Sequence, residues 1–418
     1  MIKFLHAADL HLDSPLKGLD RYEGAPLHQV RQATRRALER LVDLAVSEAV
    51  DFVLIAGDLF DGDWKDYNTG LFFVSRAGRL NTAGIPLFIV AGNHDAEGQM
   101  TRSLPYPPNV HVFSHRQAET RVIDPLKVAI HGRSFAATAI TENLARTYPE
   151  ALPGYFNIGL LHTSLTGREG HENYAPCTLD DLRGRGYDYW ALGHVHQYEI
   201  VSREPAVVFP GCLQGRHIRE TGVKGAVLVT VDEGRAIEIE HRDLDVVRWE
   251  RIVVDLAGAR LFDEALQRFK DAAEPVVEGH EGLPVIVRAV FTGRTDLHAA
   301  IAADPEYLRE SVRAVAIAAF GDRIWMEKVA IETMPNPGAA PDPGPLGELG
   351  LFVEALMADD EALLALGGTL SGLMQKLPLE YRRREGCLQP EDPRQVRDLV
   401  DQARALLVQK LKREAAGS

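Results

Sequence analysis

Five short polar segments, each directly after an apolar run, constrain the fold of this chain more than any other feature. The apolar runs are FLHAA, DFVLIA, PLFIVA, FNIGLL and DYWAL, and each is typical of a buried central strand. The carboxyl ends of neighbouring strands meet at one edge of an open α/β sheet, so we expect the polar segments to converge there. They are Asp9-Leu10-His11, Gly57-Asp58, Gly92-Asn93-His94-Asp95, His162 and Gly193-His194-Val195-His196.

Carboxylate, imidazole and amide oxygen together are a ligand set for divalent ions such as those of Mn, Fe or Zn. Two such ions about 3.5–4 Å apart lower the pKa of a water molecule and clamp a phosphate. Asp58 is the natural bridge between them, because Gly57 lets backbone and metal approach closely. The sequence therefore predicts a two-metal phosphoesterase site. Its other ligands fall into one set for each ion: Asp9, His11 and His196 for the first, and Asn93, His162 and His194 for the second.

Taken singly, each of these motifs is weak evidence. A strand-end histidine such as His162 is more often a hydrogen-bonded core residue than a ligand, and Asp-x-His occurs by chance. The conjunction of five polar segments at five predicted strand ends is what favours a metal site over a purely structural role.

Other polar residues are candidates for acid catalysis and for substrate binding. His94 lies beside the predicted ligand Asn93, and it is the candidate general acid or stabiliser of phosphoryl charge. Asp95 is a candidate for holding its tautomer. A basic segment with Arg216, His217 and Arg219, followed by Lys224, either contacts substrate or consists of solvated loop charges.

Composition excludes some classes of function. The formal net charge of −14 argues against a generic polyanion binder, although nucleic acid remains a candidate substrate because bound dications neutralise an acidic site. Three cysteines without a CxxC pair suggest neither a disulfide framework nor a thiolate zinc site. No secretory leader or membrane-spanning stretch is evident, so the predicted compartment is the cytoplasm and no membrane partner is expected.

The pattern of elements divides the chain into four parts. Residues 1–249 carry many strands with few helices, including VAIHG, AVVFPG and the pair GAVLVTVD and RAIEIEH, and their first helix is predicted to begin at Pro26. This favours an α/β fold with two packed β-sheets flanked by helices over a single doubly wound sheet. Residues 250–334 read as a small α+β domain, 335–346 as a Pro/Gly linker, and 347–418 as a helical tail.

The last helix of the tail is predicted to begin at Pro393. One apolar stripe runs along it, and the stripe either folds back on the body or docks on a partner helix. It comprises Val396, Leu399, Val400, Ala403, Leu406, Leu407 and Leu411.

The polar segments fit the pattern DxH, GD, GNH, H and GHxH, which resembles the calcineurin-like metallophosphoesterases. Within that superfamily, the chain resembles DNA-repair exonucleases of the SbcD and YhaO type, the bacterial relatives of the meiotic-recombination nuclease. The supporting segments are HAADLHLDSPL, AGDLFD, VAGNHD, ALGHVHQ and PGCLQGRHIRETGVKG. The segment VRAVFTGRTDLH resembles their capping domain. The resemblance covers residues 1–334, and the tail only by its position.

The resemblance implies a four-layer sandwich, two Mn²⁺ ions and metal-dependent DNA cleavage, often 3′→5′ exonucleolytic. It also implies a cap that helps to hold DNA and a tail that docks on an SbcC/YhaN-like coiled-coil ATPase. Homodimerisation through the phosphoesterase domain and a place at the nucleoid are further expectations. Some archaeal and eukaryotic relatives carry a histidine where this chain has Asp61, which leaves the polarity and efficiency of cleavage open.

Three functions remain as hypotheses. The chain is a DNA exonuclease or endonuclease, a phosphoesterase for cyclic nucleotides or other phosphates such as phosphoproteins, or a non-catalytic scaffold for the ATPase. Degenerate scaffolds usually lack ligands, and none is missing from this sequence. The predicted cap and tail favour the nuclease, because a small-molecule phosphodiesterase needs neither.

Overall fold

A computed structural model describes residues 1–14, 32–61, 67–97, 104–165, 174–280, 282–336, 345–377 and 388–416. The chain folds as two units. The first comprises Met1–Arg251 and His280–Val287, and the second comprises Ile252–Gly279 and Arg288–Ser418.

Two six-stranded sheets form the first unit. In chain order, its strands are β1 (Ile2–Ala7), β2 (Phe52–Ala56), β3 (Leu87–Val90), β4 (Val110–Val112), β5 (Glu119–Ile123), β6 (Val128–Gly132), β7 (Phe156–His162), β8 (Tyr189–Gly193), β9 (Glu199–Arg203), β10 (Ala206–Phe209), β11 (Gly225–Val231) and β12 (Ile237–Asp243). One sheet has the order β12-β11-β1-β2-β3-β4 and the other β5-β6-β7-β8-β10-β9. The inner strands β1 to β3 run parallel to one another, as do β6, β7, β8 and β10.

Successive side chains along each strand point to opposite faces of the sheet. Phe4 of β1 points into the core between the sheets, where it stacks on Phe52 at 4.9 Å and meets the edge of Tyr189 at 5.3 Å. Its neighbour Leu5 points to the other face, into a core shared with the helices. Because side chains on a strand alternate, a strand apolar on both faces is buried between a sheet and a helical layer.

Helices cover the outer faces of both sheets, and those among the described residues are α1 (Ala33–Ser47), α2 (Tyr67–Thr82) and the short α3 (Leu179–Arg183). On α1, Ala37, Leu41 and Ala45 recur at helical spacing and are buried. The predicted start at Pro26 lies outside the described residues. Two packed sheets between helices confirm the predicted α/β sandwich, and β11 and β12 form the predicted antiparallel hairpin.

The second unit contains a small α+β fold. Its strands are β13 (Arg248–Asp255) and β14 (Val285–Thr292), whose first residues belong to the first unit, together with β15 (Arg294–Thr295), β16 (Ile324–Ile331) and β17 (Met334–Pro335). Its helices are α4 (Phe262–Glu278), α5 (His298–Ala303) and α6 (Pro305–Phe320). The sheet has the order β13-β14-β16, and the strand–helix–strand–helix–strand pattern is the predicted one. Asp304 caps α6 by accepting from the Tyr307 amide at 3.1 Å.

In the described part of the same unit, three helices follow: α7 (Pro345–Met357), α8 (Asp360–Lys376) and α9 (Pro393–Ala416). Val396 and Val400 of the predicted stripe pack with Leu363 of α8. The side chains of Leu406 and Leu411 lie outside the described residues, as do residues 337–344 of the predicted linker, whose first residue Pro335 belongs to β17. The proposed domain limits therefore stay a prediction. Among the described helices, none is both long and apolar enough to cross a bilayer.

Candidate metal centre and active site

The five predicted polar segments meet at one edge of the two sheets. The backbone amide of Asp9 donates to the Gly57 carbonyl at 3.0 Å, which joins the ends of β1 and β2. The His194 amide donates to Asp9 Oδ2 at 2.9 Å, and the His94 amide donates to Asp58 Oδ1 at 3.0 Å. These contacts link strand ends from both sheets, so residues nearly two hundred positions apart share one site.

The backbone turns sharply where these strands end. Asp9, His11 and Asp58 have φ values of 52°, 42° and 50°, in the left-handed region that such residues seldom adopt. Gly57 has a φ of 95°, and a Cβ there would lie only 2.3 Å from His162 Nδ1. This position therefore admits only glycine, which lets β2 approach His162 closely.

The first predicted ligand set is assembled. Single ligand atoms of Asp9, His11 and His196 all lie within 4.8 Å of one another. Asp9 and His11 are fully buried, and His196 Nε2 lies 3.7 Å from Asp9 Oδ1.

Asp58 lies between the two ligand sets. Its Oδ2 is 3.8 Å from His11 Nε2 and 3.5 Å from His162 Nε2. The His162 and His194 rings lie 5.2 Å apart, centroid to centroid. One carboxylate thus faces a predicted ligand of each ion, which is the position required of a bridge.

The lone pairs at this site fit divalent cations. His162 Nδ1 donates to the Ala56 carbonyl at 2.9 Å, so Nε2 carries a lone pair and faces Asn93 Oδ1 at 2.9 Å. Both atoms are acceptors, and a cation coordinated by both would remove their repulsion. His11 Nε2 is buried without a hydrogen-bond partner among the described residues.

The protonation states fit the same ligand chemistry. Burial raises the pKa of the Asp9 and Asp58 carboxyls above their ordinary range, because each carboxylate loses its hydration. Burial also lowers the pKa of His11, and it lowers that of His162 to about 3, so both imidazoles are neutral. Neutral imidazoles coordinate metals, and buried carboxylates gain most from a nearby cation.

His94 is half-buried and more accessible than any of the seven predicted ligands, with 41% of its side chain accessible. Its Nδ1 donates to Asp61 Oδ1 at 2.9 Å. This bond raises the pKa of His94 to about 9, so its imidazole is protonated at neutral pH. Burial opposes ionisation of Asp61, but the nearby imidazoles of His11 and His94 and the hydrogen bond from Ser14 hold its pKa below the usual range.

Asp95, the predicted support for His94, has different partners. Its carboxylate accepts from the backbone amides of Leu59, Phe60 and Gly92 at 3.1, 2.9 and 3.0 Å. It therefore braces the loop after β2 against the loop after β3. The predicted role of holding His94 falls to Asp61, because the path of the β2 loop brings that carboxylate onto the imidazole.

The predicted basic residues lie at different distances from this centre. The Arg216 side chain is only 11% exposed, and Nη1 donates to Ser14 Oγ at 3.2 Å and lies 3.8 Å from Asp61 Oδ2. His217 Nε2 is 3.5 Å from Glu220 Oε1. Arg219 is exposed, and its amide donates to His217 Nδ1 at 3.3 Å. Of the three, Arg216 makes direct contacts with residues of the site.

Two residues of this network were missed by the sequence analysis. Ser14 donates to Asp61 Oδ2 at 2.6 Å, and Glu220 accepts from His196 Nδ1 at 2.7 Å. The spacing of Arg216 and Glu220, four residues apart with opposite charge, is the signal that could have pointed to the second.

Comparison with known proteins agrees with this geometry. Residues 2–198 match the calcineurin-like phosphoesterases, and residues 249–334 match the middle domain of metallophosphoesterase YhaO. The chain belongs to the calcineurin-like metallophosphoesterase family, and the predicted resemblance is confirmed. A Bacillus subtilis protein described as an uncharacterized metallophosphoesterase YhaO is 38% identical over 314 residues, which cover 74% of each chain.

Two archaeal relatives are more distant. Proteins described as DNA double-strand break repair protein Mre11 are 28% identical over 259 residues in Sulfurisphaera tokodaii and 26% identical over 303 residues in Methanopyrus kandleri. The matches cover 58% and 64% of this chain and 63% and 62% of those relatives. The chain therefore spans slightly less than two thirds of each of the two.

Proposed function

We propose that this metallophosphoesterase is a two-metal DNA phosphodiester hydrolase, an exonuclease with or without endonuclease activity, that acts in DNA repair. The observation that carries the proposal is the convergence of seven potential ligands beside His94, whose Nδ1 is paired with Asp61. The similarity to the two proteins described as Mre11 supports DNA as the substrate. Membership of the calcineurin-like phosphoesterases supports hydrolysis of a phosphoester bond.

In this proposal, each ion has its own protein ligands. Asp9, His11 and His196 would hold one ion, Asn93, His162 and His194 would hold the other, and Asp58 lies between the two sets. Two bound ions, for which we propose Mn²⁺, supply an activated nucleophile and neutralise charge on the phosphate.

His94 is the proposed general acid. The N–H group at Nδ1 faces Asp61 as a hydrogen-bond donor, so the other ring proton of the imidazolium is the one on Nε2. Donation of that proton to the leaving alkoxide prevents an unstable charge from developing on the departing oxygen. Arg216 adds a fixed positive charge whose fork geometry suits a phosphate.

A cleavage assay tests the substrate class. End-labelled single- and double-stranded DNA is incubated with the protein in Mn²⁺, in Mg²⁺ or with a chelator, beside a small aryl phosphodiester. We expect DNA cleavage with Mn²⁺ and none with chelator. Turnover of the aryl diester or of cyclic nucleotides without DNA cleavage would establish the alternative phosphodiesterase. Metal binding without any hydrolysis would indicate the scaffold.

We further propose that the tail helices dock on an SbcC/YhaN-like coiled-coil ATPase, at the nucleoid in the cytoplasm. Leu351 and Phe352 on α7 are 59% and 68% exposed, which is unusual for adjacent large apolar side chains. Leu351→Glu with Phe352→Glu should abolish association with the ATPase in a pull-down and leave nuclease activity unchanged. Retained association would mean that the ATPase binds another surface of the protein.

We also propose a homodimer, and analytical ultracentrifugation of the wild-type protein tests it by giving the mass of the particle.

A further inference from the structure

Glu220 is a carboxylate buried at the rim of the site, with 4% of its surface exposed. Its Oε1 accepts from His196 Nδ1 at 2.7 Å and from Arg216 Nη2 at 3.0 Å. Its Oε2 accepts from the Arg216 backbone amide at 2.7 Å. Both oxygens are therefore used, and all three donors belong to His196 or Arg216.

The first contact determines the tautomer of His196. An ionised carboxylate can only accept, so the Nδ1 nitrogen must carry the proton. In the neutral form that a metal ligand requires, the lone pair of the imidazole is then on Nε2, the atom that lies 3.7 Å from Asp9 Oδ1. A carboxylate behind a metal-binding histidine fixes both its tautomer and its ring orientation.

The other two contacts fix Arg216. With its amide and Nη2 held by Glu220, the guanidinium extends Nη1 to Ser14 Oγ at 3.2 Å. Ser14 in turn donates to Asp61, the partner of His94. A continuous path of polar contacts thus runs from a predicted metal ligand through Glu220 and Arg216 to the proposed general acid.

The loop that carries Glu220 is itself anchored. Trp249 Nε1 donates to the Gly215 carbonyl at 3.0 Å, and the Glu220 amide donates to the His217 carbonyl at 2.9 Å. These bonds hold the turn on which Arg216 and Glu220 both lie, so contacts within the protein fix the position of the carboxylate.

We propose that Glu220 is a positioning residue that presents His196 to its metal ion and at the same time holds Arg216 against the substrate phosphate. The proposal rests on the two-metal site proposed above. It assigns to one side chain both a contribution to metal affinity and a contribution to substrate binding.

A third cation site would be another use of the same group. Ligand atoms of His196, Cys212 and Glu220 lie within 4.8 Å of one another. Glu220 already accepts three hydrogen bonds, however, and Cys212 is a fully buried thiol whose pKa is raised by burial. Positioning of His196 and Arg216 is therefore the favoured role of Glu220. The number of metal ions bound per protein checks this, because the positioning role predicts two ions and a third cation site predicts three.

The test compares Glu220→Gln, Arg216→Gln and the surface control Glu238→Gln in the full-length protein. Mn²⁺ binding to the metal-free protein is measured by calorimetry, and kcat and KM are measured on the end-labelled DNA of the cleavage assay. For Glu220→Gln we expect about 10- to 100-fold weaker binding at one of two metal sites and a raised KM. Arg216→Gln should raise KM and leave both metal affinities intact, and the control should change nothing.

Unchanged metal affinity and KM in Glu220→Gln would overturn the proposal, as would loss of a third bound ion. Equal weakening of both metal sites with a lowered Tm would show a structural role instead. If Glu220→Gln does not fold, ¹⁵N NMR of wild-type protein loaded with Mg²⁺ decides, because the proposal requires a proton on Nδ1 of His196. Failure of the wild type to bind two ions would count against the proposed function rather than against Glu220.

Discussion

The carboxylate of Asp61 and the imidazole of His94 form a pair at the mouth of the site, with 2.9 Å between Oδ1 and Nδ1. Asp61 is held from its other side by Ser14 Oγ at 2.6 Å and lies 3.8 Å from Arg216 Nη1. The side chain of Asp61 is 20% exposed, so the pair is partly shielded from water, which strengthens the interaction. Its effect is to orient His94 and to favour the protonated imidazole.

Asp61→Asn should lower kcat by roughly 10- to 100-fold with little effect on metal binding, because the amide cannot favour the imidazolium. Asp61 is the main cause of the raised pKa of His94. Loss of the carboxylate should therefore move the alkaline limb of the pH–rate profile to lower pH. Asp43→Asn, an exposed carboxylate on α1, is the matched control. An unmoved alkaline limb would mean that His94 does not act as the acid.

His94→Ala should retain both metal ions and substrate binding while kcat falls by about 10²- to 10⁴-fold, the usual contribution of a general acid. The reason is geometric, because His94 is paired with Asp61 and its side chain is more accessible than that of His196, at 41% against 24%. A ligand atom of His94 also lies within 4.8 Å of His11 and Asp58, so metal content separates an acid from a ligand. Metal analysis of the purified variant checks the prediction. Loss of an ion from the variant would show that His94 is a ligand.

Much of this site was predictable from sequence because its residues lie at the ends of buried parallel strands. The apolar runs before Asp9, Asp58 and Asn93 are strands β1, β2 and β3 of one sheet, and those before His162 and His194 are β7 and β8 of the other. Edge strands other than β12, which the hairpin pattern predicted, were harder to predict. Strands β4, β5 and β9 each lie at the edge of a sheet and are half-exposed, so they lack a continuous apolar run.

The supporting residues were harder to predict because loops have no periodicity. Asp61 and Asp95 are both carboxylates near His94 in sequence, and only the folded path of their loops places one on the imidazole and the other on three backbone amides. Glu220 is 24 residues from His196 along the chain. No local pattern relates two residues separated in this way.

Asp58→Asn should weaken the binding of both metal ions, because Asp58 Oδ2 faces His11 of one ligand set and His162 of the other. His162→Ala should weaken the binding of one ion and leave the affinity for the other unchanged. Titration of each metal-free variant with Mn²⁺ distinguishes the two patterns. Loss of one ion only in Asp58→Asn would mean that the bridge is assigned to the wrong carboxylate.

Helix α3 is stabilised at its N-terminus by Thr178 and Asp181. Thr178 and Asp181 form a capping box in which Thr178 Oγ1 accepts from the Asp181 amide at 3.1 Å and the Asp181 carboxylate accepts from the Thr178 amide at 2.9 Å. Asn143 and Arg146 also donate to Asp181. Thr178→Ala should lower the free energy of unfolding by about 0.5–2 kcal/mol.

Acid should remove the contribution of Asp181 to this stability. The backbone hydrogen bond from Thr178, with the other donors, holds the pKa of Asp181 below its ordinary value in the folded protein. A carboxyl with a depressed folded pKa contributes stability above its unfolded pKa, about 3.9, and loses it as pH falls toward the folded value. Asp181→Asn should therefore lower Tm at neutral pH and matter progressively less below about pH 3.9. The adjacent exposed Asp180→Asn should have little effect at either pH, and a deficit in Asp181→Asn that does not shrink in acid would show that the carboxylate charge is not its source.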